Sequence, residues 1–155
     1  MTSTHPTRSA MPRPADPTLL ARACAEALWA GDAASQALGM SLESVGPGTS
    51  RVRMTVRDDM VNGYGHCHGG ILSALADTAF AFACNSRDVV TVAAGFDITF
   101  LSPGLLGALL VAEAQEVALR GRSGLYDVTV RDGDTVVAEF RGRSRALGRP
   151  ILEES

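Results

Sequence analysis

The chain has 155 residues with 46% hydrophobic and 20% charged side chains, enough for one domain with a real core. Its net charge of −3 gives no overall field that would draw it to nucleic acid or an anionic membrane, so a phosphate-bearing ligand would need a local basic patch. The long weakly polar stretch from Gly69 to Cys84 is broken by Ser73, Asp77 and Thr78 and is too short to span a bilayer. Three cysteines, Cys24, Cys67 and Cys84, form no disulfide framework and favour a reducing compartment, with the cytoplasm as the default.

In chain order, residues 1–17 are rich in Thr, Ser and Pro without an apolar signal core, and read as a disordered leader. A helical pattern runs from Leu19 to Leu38 with an interruption at Gly31-Asp32, and Gly39 stops it. Met40 to Val45 and Arg51 to Arg57 form a strand pair about a Gly46-Pro47-Gly48 turn, the second run alternating apolar and polar. Asn62-Gly63-Tyr64-Gly65 is a loop. Gly69 to Asn85 has the composition of a helix apolar nearly all round, which predicts a buried helix. Four strands follow in hairpin succession: Val90–Leu101, Ala108–Leu119, Leu125–Arg131 and Thr135–Ala146, the last two joined by Asp132-Gly133. The expected fold class is α+β: a curved antiparallel sheet wrapped around one long helix, as a single domain over 18–148 with a tail at 149–155.

Asp77 lies in the middle of the most apolar segment. An unpartnered buried carboxylate costs several kcal/mol. Either a neighbouring strand bonds it, or it is held partly dry to act as a base or nucleophile, and perturbed carboxylates concentrate at functional sites. Gly69 and Gly70 open the same helix, where first-turn N–H groups lack intrahelical acceptors and suit a carbonyl oxygen gaining negative charge. They would equally permit close helix–sheet packing. Gly69 and Asp77 are eight residues apart, or about 12 Å along the axis, whereas reacting atoms must come within about 3–3.5 Å. Two antiparallel helices from two subunits could each lend a glycine end to the other's aspartate, which predicts a twofold dimer with two composite sites.

The run Val61-Asn62-Gly63-Tyr64-Gly65-His66-Cys67-His68-Gly69-Gly70, with Leu75-Ala76-Asp77-Thr78-Ala79-Phe80-Ala81 and Cys84-Asn85-Ser86, resembles the PaaI-type phenylacetate-degradation thioesterases of the hotdog superfamily. Ile98 to Gly104, Gly124 to Val128 and Phe140 to Ser144 continue the resemblance, which covers residues 20 to 148. The resemblance implies a hotdog fold and hydrolysis of acyl-CoA thioesters, with phenylacetyl-CoA or hydroxyphenylacetyl-CoA as the expected substrate. It implies Asp77 as general base or nucleophile, the Gly69 N–H as oxyanion donor, and Asn62 as the loop amide that contacts the thioester or orients water. His68, Gly70 and Thr78 belong to the same motif and are expected at the substrate. It also implies a homodimer that pairs into a homotetramer, with no cofactor.

Other residues compete for attention. His66, Cys67 and His68 stand too close together to share a tetrahedral ion, so no metal is expected. Cys67 and Cys84 read as small buried hydrophobes. Arg120, Arg122, Arg141, Arg143 and Arg145 are either a solvated strand face or a rim for the coenzyme A phosphates, with Arg122 and Arg143 favoured. Phe80, Phe82, Phe96 and Phe100 read mostly as core, with one or two of them candidates to line an acyl pocket. Two other functions stay open. An acyl-thioester hydratase or dehydratase would need a well-placed His, and only His66 and His68 are available. A non-catalytic acyl-CoA-binding module would bind without turnover.

Overall fold

A computed structural model describes residues 13–152. Helix α1 (Pro17–Gly31) starts where Asp16 accepts the Leu19 N–H at 2.9 Å, with proline at its first position. Asp32 repeats the device for the short α2 (Ala33–Ala37), accepting from the Ser35 N–H at 3.0 Å. The long helix α3 (Gly69–Cys84) follows the hairpin of β1 (Ser41–Gly46) and β2 (Thr49–Thr55) and a 3-10 turn at Asp58–Met60. Then come β3 (Thr91–Phe100), β4 (Leu109–Arg120), β5 (Ser123–Asp132) and β6 (Thr135–Ala146). All neighbours pair antiparallel in the order β1-β2-β4-β5-β6-β3.

The sheet curls around α3, which touches all six strands. Alternation on β2 buries Ser50, Val52 and Met54 and leaves Arg51, Arg53 and Thr55 outside. The same rule on β4, β5 and β6 supplies Leu110, Tyr126, Val128, Val130 and Phe140 to the core, with Leu75, Phe80 and Phe82 from the helix. Gly142 lets α3 approach closely: a Cβ there would lie 2.9 Å from the rings of both Phe80 and Phe140. The outer sheet face is a lattice of opposite charges across neighbouring strands. Arg51 pairs with Glu43 and Glu113, Arg141 with Asp127 at 2.7 Å, and Arg143 with Asp97 at 2.6 Å.

Two expectations about apolar residues need correction. Phe80 and Phe82 are buried, but Phe96 and Phe100 are 39% and 50% exposed. The reason is the strand order: β3 is an edge, and one side of it has no strand neighbour among the described residues. Nor is α3 buried all round. Gly70, Ser73, Ala74, Asp77, Thr78 and Ala81 recur at helical spacing on an arc that stays partly open.

Asn85 and Ser86 close the C-terminal end of α3. The Asn85 amide donates to the carbonyls of Ala81 and Thr91 and accepts from the Thr91 N–H, while Ser86 bonds the Ala83 carbonyl and the Gly48 N–H. Beyond them stands Asp88, buried and in the left-handed region at φ 57°. Its carboxylate accepts the N–H groups of Ile151 and Leu152 at 2.9 and 2.8 Å and pairs with Arg13 at 3.1 Å. Residues 1–12 of the expected leader and 153–155 of the expected tail lie outside the described residues. The parts nearer the domain, from Arg13 and up to Leu152, are fastened to it.

Candidate active site

The start of α3 is shaped by its capping residue. His68 is extended at φ −59°, ψ 135°, and its Nδ1 accepts the Gly70 N–H at 2.9 Å. An accepting Nδ1 leaves the exposed Nε2 as the donor of the ring. The His68 carbonyl takes the N–H groups of Ile71 and Leu72 at 2.9 and 3.1 Å. Three of the four first-turn amides are therefore satisfied. The Gly69 N–H has no acceptor among the described residues, and it points from the positive end of a 16-residue helix. The Phe100 ring lies over Gly69, where a Cβ would come within 3.0 Å of its Cζ.

The segment leading to His68 is equally fixed. The N–H groups of Cys67 and His68 donate to the carbonyls of Gly104 and Met60 at 2.7 and 2.8 Å. Asn62 organises the loop before them: its Oδ1 accepts from the Tyr64 and His66 N–H groups at 3.0 and 3.2 Å, and its own N–H donates to the His66 carbonyl at 2.7 Å. This uses the acceptor end of the amide, so Asn62 offers a substrate or water its Nδ2 donors alone.

Asp77 sits two turns further along α3, half-buried, with no hydrogen-bond partner among the described residues. Burial raises its pKa above the ordinary carboxylate value. A charged group left partly dry and unpaired is a strained arrangement that a folding-only role does not call for. Thr78, next to it, turns its hydroxyl to Ser35 of α2 at 3.0 Å. Ser73 bonds back to the Gly69 carbonyl at 2.8 Å.

The cysteines are poor nucleophiles in this setting. Burial pushes the Cys84 thiol up to about 12, with the Asp77 charge adding to it, and burial also raises Cys67. Of the arginines, Arg141 and Arg143 are engaged in ion pairs on the sheet face, and Arg145 reaches Ser123 at 3.3 Å. Arg120 and Arg122 flank the β4–β5 turn, exposed and with no carboxylate in reach among the described residues. The structure thus places Gly69, Gly70, His68 and Asn62 together at one end of α3, Asp77 and Thr78 along it, and Arg122 at a distant turn.

Two residues around α3 give no functional signal in the sequence reading: Ser35 bonds Thr78, and Ser50 bonds the Ala79 carbonyl at 2.6 Å. Phe100, named there among the aromatics, covers Gly69. Ser50 left a trace, because extending the β2 alternation back one step puts this polar residue on the buried face with Val52 and Met54. Ser35 left none, being 43 residues from its partner.

The thioesterase superfamily model matches residues 64–139, which include α3 and most of the sheet. The acyl-coenzyme A thioesterase PaaI of Escherichia coli is 43% identical over 132 residues, covering 84% of this chain and 94% of the relative. The solved structure of that protein, from the phenylacetic acid degradation operon, superposes with a TM-score of 0.85 at 40% identity, covering 87% of this chain and 99% of the other. The TT0310 protein of Thermus thermophilus gives a TM-score of 0.71 at 39% identity over 73% and 96% of the two chains. The smu.793 protein of Streptococcus mutans, solved with acetyl-CoA bound, gives 0.69 at 26% identity over 72% and 90%. Together with the curled sheet around one helix, these matches show that the chain has the hotdog fold and belongs to the thioesterase superfamily, among the PaaI-type acyl-CoA thioesterases.

Proposed function

We propose that this enzyme hydrolyses the thioester of phenylacetyl-CoA, hydroxyphenylacetyl-CoA or a related aryl or medium-chain acyl-CoA, in sites shared between two copies of the chain. The observation that carries the mechanism is Asp77: a half-buried carboxylate on the outward arc of α3, its pKa raised by burial and with no hydrogen-bond partner among the described residues. As a general base it takes a proton from water while the oxygen attacks the thioester carbon. The carbonyl oxygen becomes an oxyanion on the Gly69 N–H of the second copy, assisted by a donor from Asn62 Nδ2. Collapse expels the coenzyme A thiolate, which recovers the proton from Asp77. The nucleophilic variant has the carboxylate attack first, giving an anhydride that water then opens. Both routes consume only water and require no cofactor.

Assembly follows from two features. Gly69 and Asp77 are separated by two turns of one rigid helix, so a single copy cannot bring both to one carbonyl. The edge strand β3 offers unpaired backbone and exposed Val92, Phe96 and Phe100, the kind of edge that pairs with another strand. The homodimer formed there pairs further into a homotetramer. Exposed Nε2–H of His68, with Gly70 beside it, faces substrate at the same helix end, and Thr78 lines the neighbouring wall. For the coenzyme A phosphates Arg122 keeps its guanidinium available, whereas that of Arg143 is occupied by Asp97. No described helix is long and apolar enough to cross a membrane, and three free thiols suit a cytoplasmic enzyme.

A thiol-release assay on the wild type and Asp77→Asn, with phenylacetyl-, hydroxyphenylacetyl-, benzoyl-, short- and long-chain acyl-CoAs, tests this function. Aryl-acetyl-CoA turnover that collapses in a folded, equally oligomeric Asp77→Asn is the expected result. Absence of thiol release with every substrate would overturn it.

A further inference from the structure

Helix α3 packs almost wholly through Ala, Leu and Phe, and apolar contact has no direction of its own that would fix how far a helix is rotated about its axis. Two side-chain hydrogen bonds from other elements reach it immediately after Asp77. Ser35 on α2 shares a hydroxyl–hydroxyl bond with Thr78. Ser50 on β2 donates to the carbonyl of Ala79. The bonds grip the helix from different sides, Ser50 from the sheet floor and Ser35 from the α1–α2 cap. Both serines are buried, at 5% and 4% exposure, so each hydroxyl depends on that partner. Neither is demanded by its own element. Position 50 faces the core beside Val52 and Met54, where an apolar side chain would satisfy the strand without burying a hydroxyl.

From these contacts, we infer that Ser35 and Ser50 are positioning residues, two pins that set the rotation of α3 and thereby aim the Asp77 carboxylate into the shared site. The inference rests on Asp77 being the catalytic carboxylate. A helix side chain reaches about 5–6 Å from the axis, so a rotation of about 20° sweeps its tip by about 2 Å. Displacements of about 1 Å can cost 10²-fold in rate. Pins placed one and two residues after the carboxylate act where the lever matters most.

The experiment measures kcat and KM for thiol release in Ser35→Ala, Thr78→Val, Ser50→Ala and the two conservative variants Ser35→Thr and Ser50→Thr. Thermal melting, size-exclusion and Asp77→Asn accompany them. Loss of either pin is expected to lower kcat about tenfold or more while KM changes about twofold or less. Ser35→Thr and Ser50→Thr, which keep the hydroxyls, recover kcat. Ser35→Ala and Thr78→Val break the same bond, so combining them costs no more than one alone. If Ser50→Ala does not fold, the Ser35–Thr78 pair on the outer side decides the matter. Variants that melt earlier yet keep kcat within about twofold of wild type would show the serines to be structural only and overturn the inference. If Asp77→Asn itself stays active, the catalytic assignment fails first, and the two failures are told apart.

Discussion

Replacing Gly69 by proline removes the one first-turn amide hydrogen that lacks an acceptor among the described residues, and little else. Gly69 is the first residue of α3, a position that proline favours because that N–H has no intrahelical partner and the ring presets φ. The residue before a proline must be extended, and His68 already is, at φ −59°, ψ 135°. The steric penalty lies in the new Cβ, 3.0 Å from Phe100 Cζ and 3.2 Å from its Cε2. That ring is half-exposed and its tip can swing aside. Gly69→Ala carries the same Cβ but keeps the hydrogen, so the ratio of the two variants isolates the donor. Removing one oxyanion-hole donor costs about 10²–10³ in kcat, or about 2.7–4 kcal/mol. Gly69→Pro should therefore turn over about 10²–10³ times more slowly than Gly69→Ala, with equal assembly by size-exclusion and a melting temperature no lower. The measurement is saturating thiol-release kinetics on both. Equal turnover would refute the oxyanion role of the Gly69 N–H and leave the Asn62 amide as the polarising group.

Three further outcomes follow from other parts of the structure. His68→Ala removes a helix cap worth about 1 kcal/mol and should lower the melting temperature by about 2–4 °C; His68→Asn restores stability, and an unchanged melt for the alanine would remove the cap from the account. Asp77 has a folded pKa above its unfolded one, so its contribution to stability falls as pH rises from the ordinary carboxylate range through the raised value. Asp77→Asn should therefore be more stable than wild type at neutral pH, with the gap closing in acid, as denaturant titrations across pH would show; the acid limb of kcat/KM should also sit above the pH of a surface carboxylate. Asp88→Ala should speed amide exchange at Ile151 and Leu152, whereas Asp88→Asn, which keeps the oxygen that accepts both, should largely preserve their protection.

The long helix and its misplaced carboxylate were legible because they violate a pattern: Asp77 interrupts an otherwise apolar run, and the cost of burying charge makes such an interruption informative. Hairpins at Gly46-Pro47-Gly48 and Asp132-Gly133 were legible because local turn chemistry dictates them. Strand order was not. Nothing local says that β3 pairs with β6, and without that pairing Phe96 and Phe100 read as core when they sit on an edge. The roles within the Asn62–Gly70 loop were hidden for a related reason. An asparagine spends its two ends separately, and only the fold shows that Oδ1 is taken by Tyr64 and His66 while Nδ2 has no acceptor among the described residues. The Ser35–Thr78 bond joins residues far apart in sequence, and a small polar residue in a short helix gives no periodic sign of such a partner.

Asp88 gives the chain an unusual economy of ends. Arg13 and Ile151 meet at one carboxylate, so the first and last described segments lie within a side chain's length of each other. A short linker could join them without crossing the sheet, and a new start could be cut at the exposed Asp132-Gly133-Asp134 hairpin. Such a circularly permuted enzyme would keep α3, both serine pins and the β3 edge intact while detaching the order of synthesis from the order of strands. It would also move the free ends away from Asp88, leaving that corner of the molecule closed and the far side of the sheet open for attachment to a surface or a second enzyme.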